Sequence, residues 1–484
     1  MWSTAGIIFI FILSALLMFL RVLPALLALP IMAFLIALAG GIPLNDIFIY
    51  VIGDGAFRLH QAYTITLFGG MLSIFLQRSG IAENFVRKGA ELAGDNPFNV
   101  SLIVLILTAL LFTTLGGLGA IIMVATIILP IMSSVGISPL TIAGVFLIGL
   151  SVGGILNPQN WILYINVLKV DFSTVKTFAL ILFAISLIVG IVFIAVELRR
   201  EKLLKISPST FLKYLLALLI FITAVVSLTF VNFESGIFKV LLSYLKSLLL
   251  TLFVIFLIYI LIEFVKKLVS PSRAGRLKWY AFLTPIVPLI IIFAFGSQYF
   301  IVAFIAGLLY GFITSYRKGG LNLLMQAIID GGSSVIPAVA LMLGIGMLLN
   351  AILGPANWNG EWKVYAQLRP LFNAIVPTSP VLYVVLFSIL SPFALYRGPL
   401  NVWGLGYGIA TLISAPVGTL PPASVMGLLL SVGQIQGVCD PTNTYNVWIA
   451  NELRIDVNQI LRKTFPYIWV LATLGLVVSA VMFL

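Results

Sequence analysis

The sequence predicts an all-α polytopic membrane protein of about 12 transmembrane helices plus two re-entrant hairpins, arranged as inverted-topology repeats. Three observations carry that expectation: composition, recurrent apolar runs, and an echo between the two halves of the chain. The 484 residues are 61% hydrophobic and 9% charged, with a mean hydropathy of +1.19. A soluble domain carries roughly 25% charged residues, so this chain lacks the charge to cover a surface facing water. Apolar runs near 20 residues, the length that crosses about 30 Å of hydrocarbon, begin at 4–20 and 22–40 and recur to 464–484. The short alternating strands of a spanning barrel are missing from the pattern.

Met1 to Leu20 resembles a leader peptide, but Arg21 follows the apolar run instead of preceding it and no small-residue cleavage site closes it. It reads as a retained first span. One cysteine, Cys439, allows no internal disulfide, and one histidine, His60, supplies no His/Cys metal cluster, so neither a metal nor another cofactor is expected. The net charge of +12 fits cytoplasmic loops better than nucleic acid. Two basic loops mark that side: Arg199, Arg200, Lys202 and Lys205, then Lys266, Lys267, Arg273, Arg276 and Lys278. The reading is a multi-pass protein of a prokaryotic plasma membrane, with the lipid bilayer as its partner.

Asp54-Gly55 recurs as Asp330-Gly331 and Gly70-Met71-Leu72 as Gly346-Met347-Leu348, both 276 residues on. Gly117-Leu118-Gly119 matches Gly404-Leu405-Gly406 and Pro130 matches Pro416, 287 and 286 residues on. The segment before Asp54 is poor in Lys and Arg, whereas that before Asp330 holds Arg317 and Lys318. Equivalent positions therefore fall on opposite faces, as in transporter folds with inverted repeats. Repeat one is read as 1–200, a two-span connector as 201–274, and repeat two as 275–484. Asp54 and Asp330 themselves read as loop or helix-cap residues, and His60 as an ordinary interfacial residue.

Within each repeat an apolar stretch too long for one span is broken by polar residues. Thr113-Thr114-Leu115-Gly116-Gly117-Leu118-Gly119 interrupts 98–135, and Tyr396-Arg397-Gly398-Pro399-Leu400-Asn401 interrupts 381–417. Both read as re-entrant hairpins, because non-helical backbone at membrane depth needs protein or a watery cavity around it. A broken helix follows each: 138–168 around Asn157-Pro158-Gln159-Asn160, and 422–450 around Asp440-Pro441-Thr442-Asn443-Thr444-Tyr445-Asn446. Proline frees backbone groups, and half-helix ends then present amides to an anion and carbonyls to a cation. Candidate substrate-binding residues are Thr113, Thr114, Gly117, Asn157, Gln159, Asn160, Arg397, Asn401, Thr442, Asn443 and Asn446. Asp440 and Thr444 are the candidates for ion coupling. Arg397 could fork onto a carboxylate or pair with Asp440; either charge alone costs roughly 2.5–3.5 kcal/mol at the bilayer centre. Ile81 to Asp95 and Trp358 to Arg369 read as interfacial helices.

With Ser79-Gly80-Ile81-Ala82-Glu83, Gly94-Asp95-Asn96-Pro97, Leu129-Pro130 and Gly136-Ile137-Ser138-Pro139 in view, the chain resembles the ion transporter superfamily, nearest its citrate, gluconate and C4-dicarboxylate carriers. The resemblance implies a carboxylate bound between hairpin tips and broken helices, an elevator-like motion and, commonly, a homodimer. Sodium-coupled dicarboxylate members carry Ser-Asn-Thr at the tips, whereas Thr113-Thr114 and Arg397-Gly398 stand here, which leaves H⁺ and Na⁺ both open. The large membrane subunit of binding-protein-dependent carboxylate transporters is also similar and would need accessory subunits. The expected function is secondary active transport (symport) of a small organic anion, a carboxylate, with H⁺ or Na⁺, and not catalysis. A cation/proton antiporter on the same scaffold is the alternative.

Overall fold

The computed structural model describes residues 2–19, 22–204, 251, 255–269, 277–355, 358, 360–375, 379–398, 400, 406, 409–410, 413–414 and 418–484. Most of the connector and of the second hairpin's returning arm lies outside the described residues. Capping chemistry sets where the helices start. Pro97, Pro139 and Pro158 each sit just inside a helix, where the missing N–H would have had no partner. Before them Asn96, Ser138 and Asn157 accept from Phe98 N, Thr141 N and Gln159 N, the side-chain cap that satisfies one helix-terminal amide.

The elements run α1 Trp2–Phe19, α2 Ala25–Ala39, α3 Leu44–Arg78, α4 Ile81–Ala93, α5 Pro97–Phe112, α6 Leu118–Ser134, α7 Pro139–Ile155, α8 Pro158–Val167 and α9 Phe172–Arg200. There follow α10 at 255–269, α11 Val287–Phe295, α12 Phe300–Ser315, α13 Gly320–Leu353, α14 Lys363–Ile375 and α15 Pro380–Leu390. A tight turn at Ser391–Arg397 leads on to α16 Pro422–Cys439, α17 Thr444–Glu452 and α18 Val457–Phe483. Among the described residues five segments are long and apolar enough to cross a membrane, one of them α16 and α17 taken together across Asp440–Asn443, and α7 with α8, bent by 48° at their break, makes a sixth. Shorter apolar helices include α2, α5, α6 and α12. Large apolar side chains such as Phe9, Ile329 and Val481 lie more than half exposed, which suits contact with lipid and not with water.

Two helix groups form the body. In the first, α13 packs along α2 and α3, with α12 on the other side of α3. α3 and α13 run antiparallel with their backbones close: a Cβ on Gly70 would lie 2.5 Å from the Gly331 carbonyl, and one on Gly55 would lie 2.7 Å from Met347 Cα. Only glycine permits that approach. In the second group α7 packs between α5 and α9, and α16 between α7 and α18, with α15 against α18. The groups meet where α3 touches α6 and α8.

The structure corrects one expectation. Asp54 and Asp330 are not loop or cap residues; Asp54 ends a π-helical stretch, Ile47–Asp54, inside the 35-residue α3, and Asp330 lies inside the 34-residue α13. The apolar segment beginning near 62 is thus the second half of a longer helix. Long-range pairing makes this tolerable: Arg78 forms an ion pair with Asp330 and donates to Gln326 Oε1 at 3.0 Å. At the other end Arg58 donates to Asn350 Oδ1 and, at 2.8 Å, to the Gly354 carbonyl, while Asn350 Nδ2 donates to the Tyr50 carbonyl at 2.7 Å. A cation on the carbonyl end of α13 complements the helix dipole.

Candidate functional site

The first break is built by Asn157. Its Oδ1 accepts from Gln159 N at 3.0 Å, which starts α8. Its Nδ2 reaches the end of α5, donating to the Phe112 carbonyl at 3.2 Å and the Leu115 carbonyl at 3.3 Å. One side chain therefore caps a half-helix and ties down carbonyls of the first hairpin tip. Asn160 Nδ2 donates to the Gly154 carbonyl at 2.8 Å and Trp161 Nε1 to the Ile155 carbonyl at 2.7 Å, so side chains of α8 satisfy the end of α7. Carbonyls there would otherwise go unpaired away from water.

Asp440 builds the second break. It is 1% exposed, and its Oδ1 accepts from Thr442 N and Thr442 Oγ1, both at 2.8 Å. The same oxygen accepts from Tyr396 N at 3.1 Å, and Tyr396 is the left-handed residue (φ +55°) of the turn at Ser391–Arg397. Asn443 Oδ1 caps α17 through Tyr445 N at 3.2 Å. Asn446 Nδ2 donates to the Val438 and Asp440 carbonyls at 3.1 and 2.9 Å. In both breaks, then, an Asx-Pro residue bonds to the turn that the sequence reading takes as a hairpin tip, with opposite polarity. Asn157 donates to tip carbonyls, whereas Asp440 accepts from a tip amide.

Among the other candidates, Thr113 and Thr114 are buried at the first tip, and their hydroxyls donate to the Leu110 and Leu111 carbonyls at 2.7 and 3.5 Å. Gly117 (φ +83°) turns the chain into α6, a conformation that costs glycine nothing. Gln159 Nε2 donates to the Thr114 carbonyl at 3.4 Å. Thr444 is exposed at the start of α17. Asn401 and the side chain of Arg397 lie outside the described residues, so a contact between Arg397 and Asp440 does too. Thr113, Thr114, Gly117, Asn157, Gln159 and Asn160 thus gather around the first break, and Asp440, Thr442, Asn443 and Asn446 around the second. α6, the arm leaving the first tip, packs against α17 beyond the second break.

Sequence reasoning passed over four further polar residues. Ser151 Oγ donates to Gln434 Oε1 at 2.5 Å where α7 crosses α16. Ser73 and Gln77 of α3 reach the first tip: Ser73 Oγ donates to the Gly116 carbonyl at 3.1 Å, and Gln77 Nε2 donates to Ser73 Oγ at 3.4 Å. In sequence they look like ordinary polar residues of a membrane helix; only their spacing of four, on one helix face, hinted at a shared target. Asn446 Oδ1 is buried with no hydrogen-bond partner among the described residues, a state that calls for a ligand, ion or water.

Away from the breaks, a polar cluster fastens the basic end of α9. Glu197, 3% exposed in its side chain, pairs with Arg200 at 2.8 Å and Lys463 at 3.0 Å and accepts from the Tyr467 hydroxyl at 2.8 Å. Glu201 accepts from Ser138 N at 3.1 Å and from the Ser138 and Thr141 hydroxyls, with Lys463 at 3.6 Å. Partial burial pushes the Glu201 pKa up, but those hydrogen bonds and the Lys463 charge together hold it below the ordinary value.

No protein-family model matches the chain, and neither does any curated protein. In three dimensions the chain is similar to the crystal structure of the YdaH transporter of Alcanivorax borkumensis, with a TM-score of 0.50 and 13% identity over 90% of this chain and 88% of that one. At that identity the likeness is one of fold alone, extending over nearly the whole of both chains.

Proposed function

We propose that the chain is a secondary active transporter that carries a small organic anion, a carboxylate, across a prokaryotic plasma membrane, driven by H⁺ or Na⁺. The observation that carries this reading is the pair of Asx-Pro breaks, Asn157 and Asp440, each bonded to the backbone of a hairpin tip. Interrupted spans at corresponding places in two halves are the strongest pointer to a transport site that a membrane chain offers. The fold shared with a protein described as a transporter supports it.

Inverted repeats are part of the proposal, and the contacts support them by their register. Gly70 meets Gly331 while Gly55 meets Gly346, and a shift of 276 residues turns one pair into the other. In this reading the first tip and break, from Thr113, Thr114, Gly117, Asn157, Gln159 and Asn160, contribute one wall of the substrate site. Thr442, Asn443 and Asn446, with Arg397 and Asn401 from the second hairpin, contribute the other. Asp440 and Thr444 handle the coupling ion. Asp440 carries the charge whose neutralisation by H⁺ or Na⁺ would let the loaded site cross hydrocarbon at lower cost.

Purified protein in proteoliposomes, offered labelled carboxylates under imposed Na⁺ or H⁺ gradients, tests the reading. Gradient-driven accumulation of one acid is expected, and Asp440→Asn, which keeps the Tyr396 and Thr442 contacts but removes the charge, should uncouple it. Arg397→Ala should abolish anion uptake. Cation/proton exchange with no accumulation of any acid would overturn the proposal in favour of an antiporter.

A further inference from the structure

We infer that Ser73 and Gln77 of α3 are positioning residues of the substrate site: they seat the first hairpin tip and so set how tightly it binds its ligand. This rests on the transport reading above, but neither residue belongs to the hairpins or broken helices that define that reading.

A hydroxyl in a membrane helix usually bonds back to its own helix. Thr66, Ser101, Ser186 and Thr464 all do so, donating to the carbonyls of Ala62, Pro97, Leu182 and Ile460 at 2.7–2.9 Å. Ser73, 1% exposed, forgoes that bond and reaches across to another element. Its Oγ donates to the Gly116 carbonyl at 3.1 Å and accepts from Gly116 N at 3.5 Å and from Gln77 Nε2 at 3.4 Å. One donation and two acceptances use the full capacity of a hydroxyl, and two of the three fix a single residue of the tip.

The seat extends along one face of α3. One turn before Ser73, a Cβ on Gly69 would lie 2.5 Å from Gln159 Cδ, so the missing side chain makes room for Gln159. Gln159 in turn donates to the Thr114 carbonyl. One turn after Ser73, Gln77 Oε1 lies 3.7 Å from where Gly119 would carry a Cβ, in the first turn of α6. Gly69, Ser73 and Gln77 thus share the four-residue spacing of a helix stripe and meet Gln159, Gly116 and Gly119 in turn. The counterparts 276 residues on are Ile345, Leu349 and Leu353. The polar stripe therefore belongs to α3 and has no echo on α13, which sets it apart from packing shared by both repeats.

The test pairs uptake kinetics with a cross-link. Ser73→Ala removes the 3.1 Å bond to the Gly116 carbonyl and the marginal 3.5 Å one from its N–H and should raise KM about fivefold, the net worth of one ordinary hydrogen bond, with kcat little changed. Ser73→Thr, which restores the hydroxyl, should recover most of it. Ser101→Ala, a buried hydroxyl bonded within its own helix, should leave KM where it was. Ser73→Cys combined with Gly116→Cys, in a Cys439→Ala background, should form a disulfide in membranes on oxidation and stop transport until reduced; at Gly116 nothing lies nearer than 3.9 Å to an added Cβ. A KM for Ser73→Ala within twofold of wild type, or no cross-link, overturns the inference. Wild-type protein that accumulates no acid overturns the transport reading instead, and the cross-link still reports whether the tip sits on this seat.

Discussion

Replacing Gly70 by alanine gives a direct measure of how closely α3 and α13 are locked. The new Cβ would stand 2.5 Å from the Gly331 carbonyl oxygen and 2.8 Å from Val335 Cγ1, against the 3.0 Å below which real Cβ atoms essentially never approach another atom. Val335 could turn aside, but the carbonyl belongs to the backbone of a 34-residue helix and cannot. Relief needs the helices to part by about 0.5 Å or more, the kind of shift that costs roughly 1–3 kcal/mol in a packed interior. Alanine also favours the helix over glycine by about 0.5–1 kcal/mol, so the raw effect understates the clash. Gly332→Ala supplies the correction, because its Cβ would meet only the mobile Met71 Cε at 3.9 Å while gaining the same propensity. The difference between the two variants then isolates the packing cost, about a 5- to 150-fold difference in the unfolded population. The assay is reversible unfolding in lipid or detergent, read side by side for the wild type and both variants. Gly55→Ala, whose Cβ would stand 2.7 Å from Met347 Cα, should lose stability as Gly70→Ala does. A Gly70→Ala protein as stable as Gly332→Ala would refute the close backbone approach and the reasoning built on it.

Other perturbations follow from the same contacts. Asn157→Ala removes the cap of α8 and leaves the Phe112 and Leu115 carbonyls without their donor; a loss of about 2–4 kcal/mol and defective uptake are expected, and stability equal to wild type would contradict the assigned cap. Glu201, whose pKa is held below 4.5, contributes stability in full above that value and loses it as pH falls through its native pKa. Unfolding midpoints followed from pH 6 down to about pH 3 should therefore fall more steeply for wild type than for Glu201→Gln, and parallel profiles would show that the cluster does not act through this charge. Asp440→Asn should spare folding, since Oδ1 still accepts from Tyr396 and Thr442, while abolishing gradient dependence of uptake; unchanged coupling would remove Asp440 from the ion's path.

Helix starts are set by local chemistry that the sequence carries within a few residues. Asn96-Pro97, Ser138-Pro139 and Asn157-Pro158 place a side-chain acceptor and a missing donor where a helix needs both. The breaks stood out for the same reason. The continuity of α3 did not, because Asp54, Arg58 and His60 look like the end of a span when seen in order. Arg58 is accommodated by Asn350 and Gly354 of α13, and Asp330 by Arg78 of α3. No window along the chain contains both partners of either contact. Ser73 and Gln77 escaped notice for a related reason: what marks Ser73 is a bond it does not make to its own helix, visible only once Gly116 is in place beside it.

The crossing of α7 and α16 bears on the proposed symmetry of the two halves. Ser151 donates to Gln434 there, and Gln434 lies 283 residues on, the same offset that relates Asn157 to Asp440 and Pro158 to Pro441. On this offset, and on the proposed inverted repeats, Ser151 touches its own counterpart, which would put the contact on their pseudo-two-fold axis. In an ancestor assembled from two identical chains, one residue type would have met itself at that point. A short side chain facing a long one is not exchanged by such a rotation, so under the proposed symmetry the two halves are chemically inequivalent where they cross. Inward- and outward-facing states of the proposed transporter would then differ in free energy, which changes how long each is occupied but leaves the direction of net flow to the gradient alone.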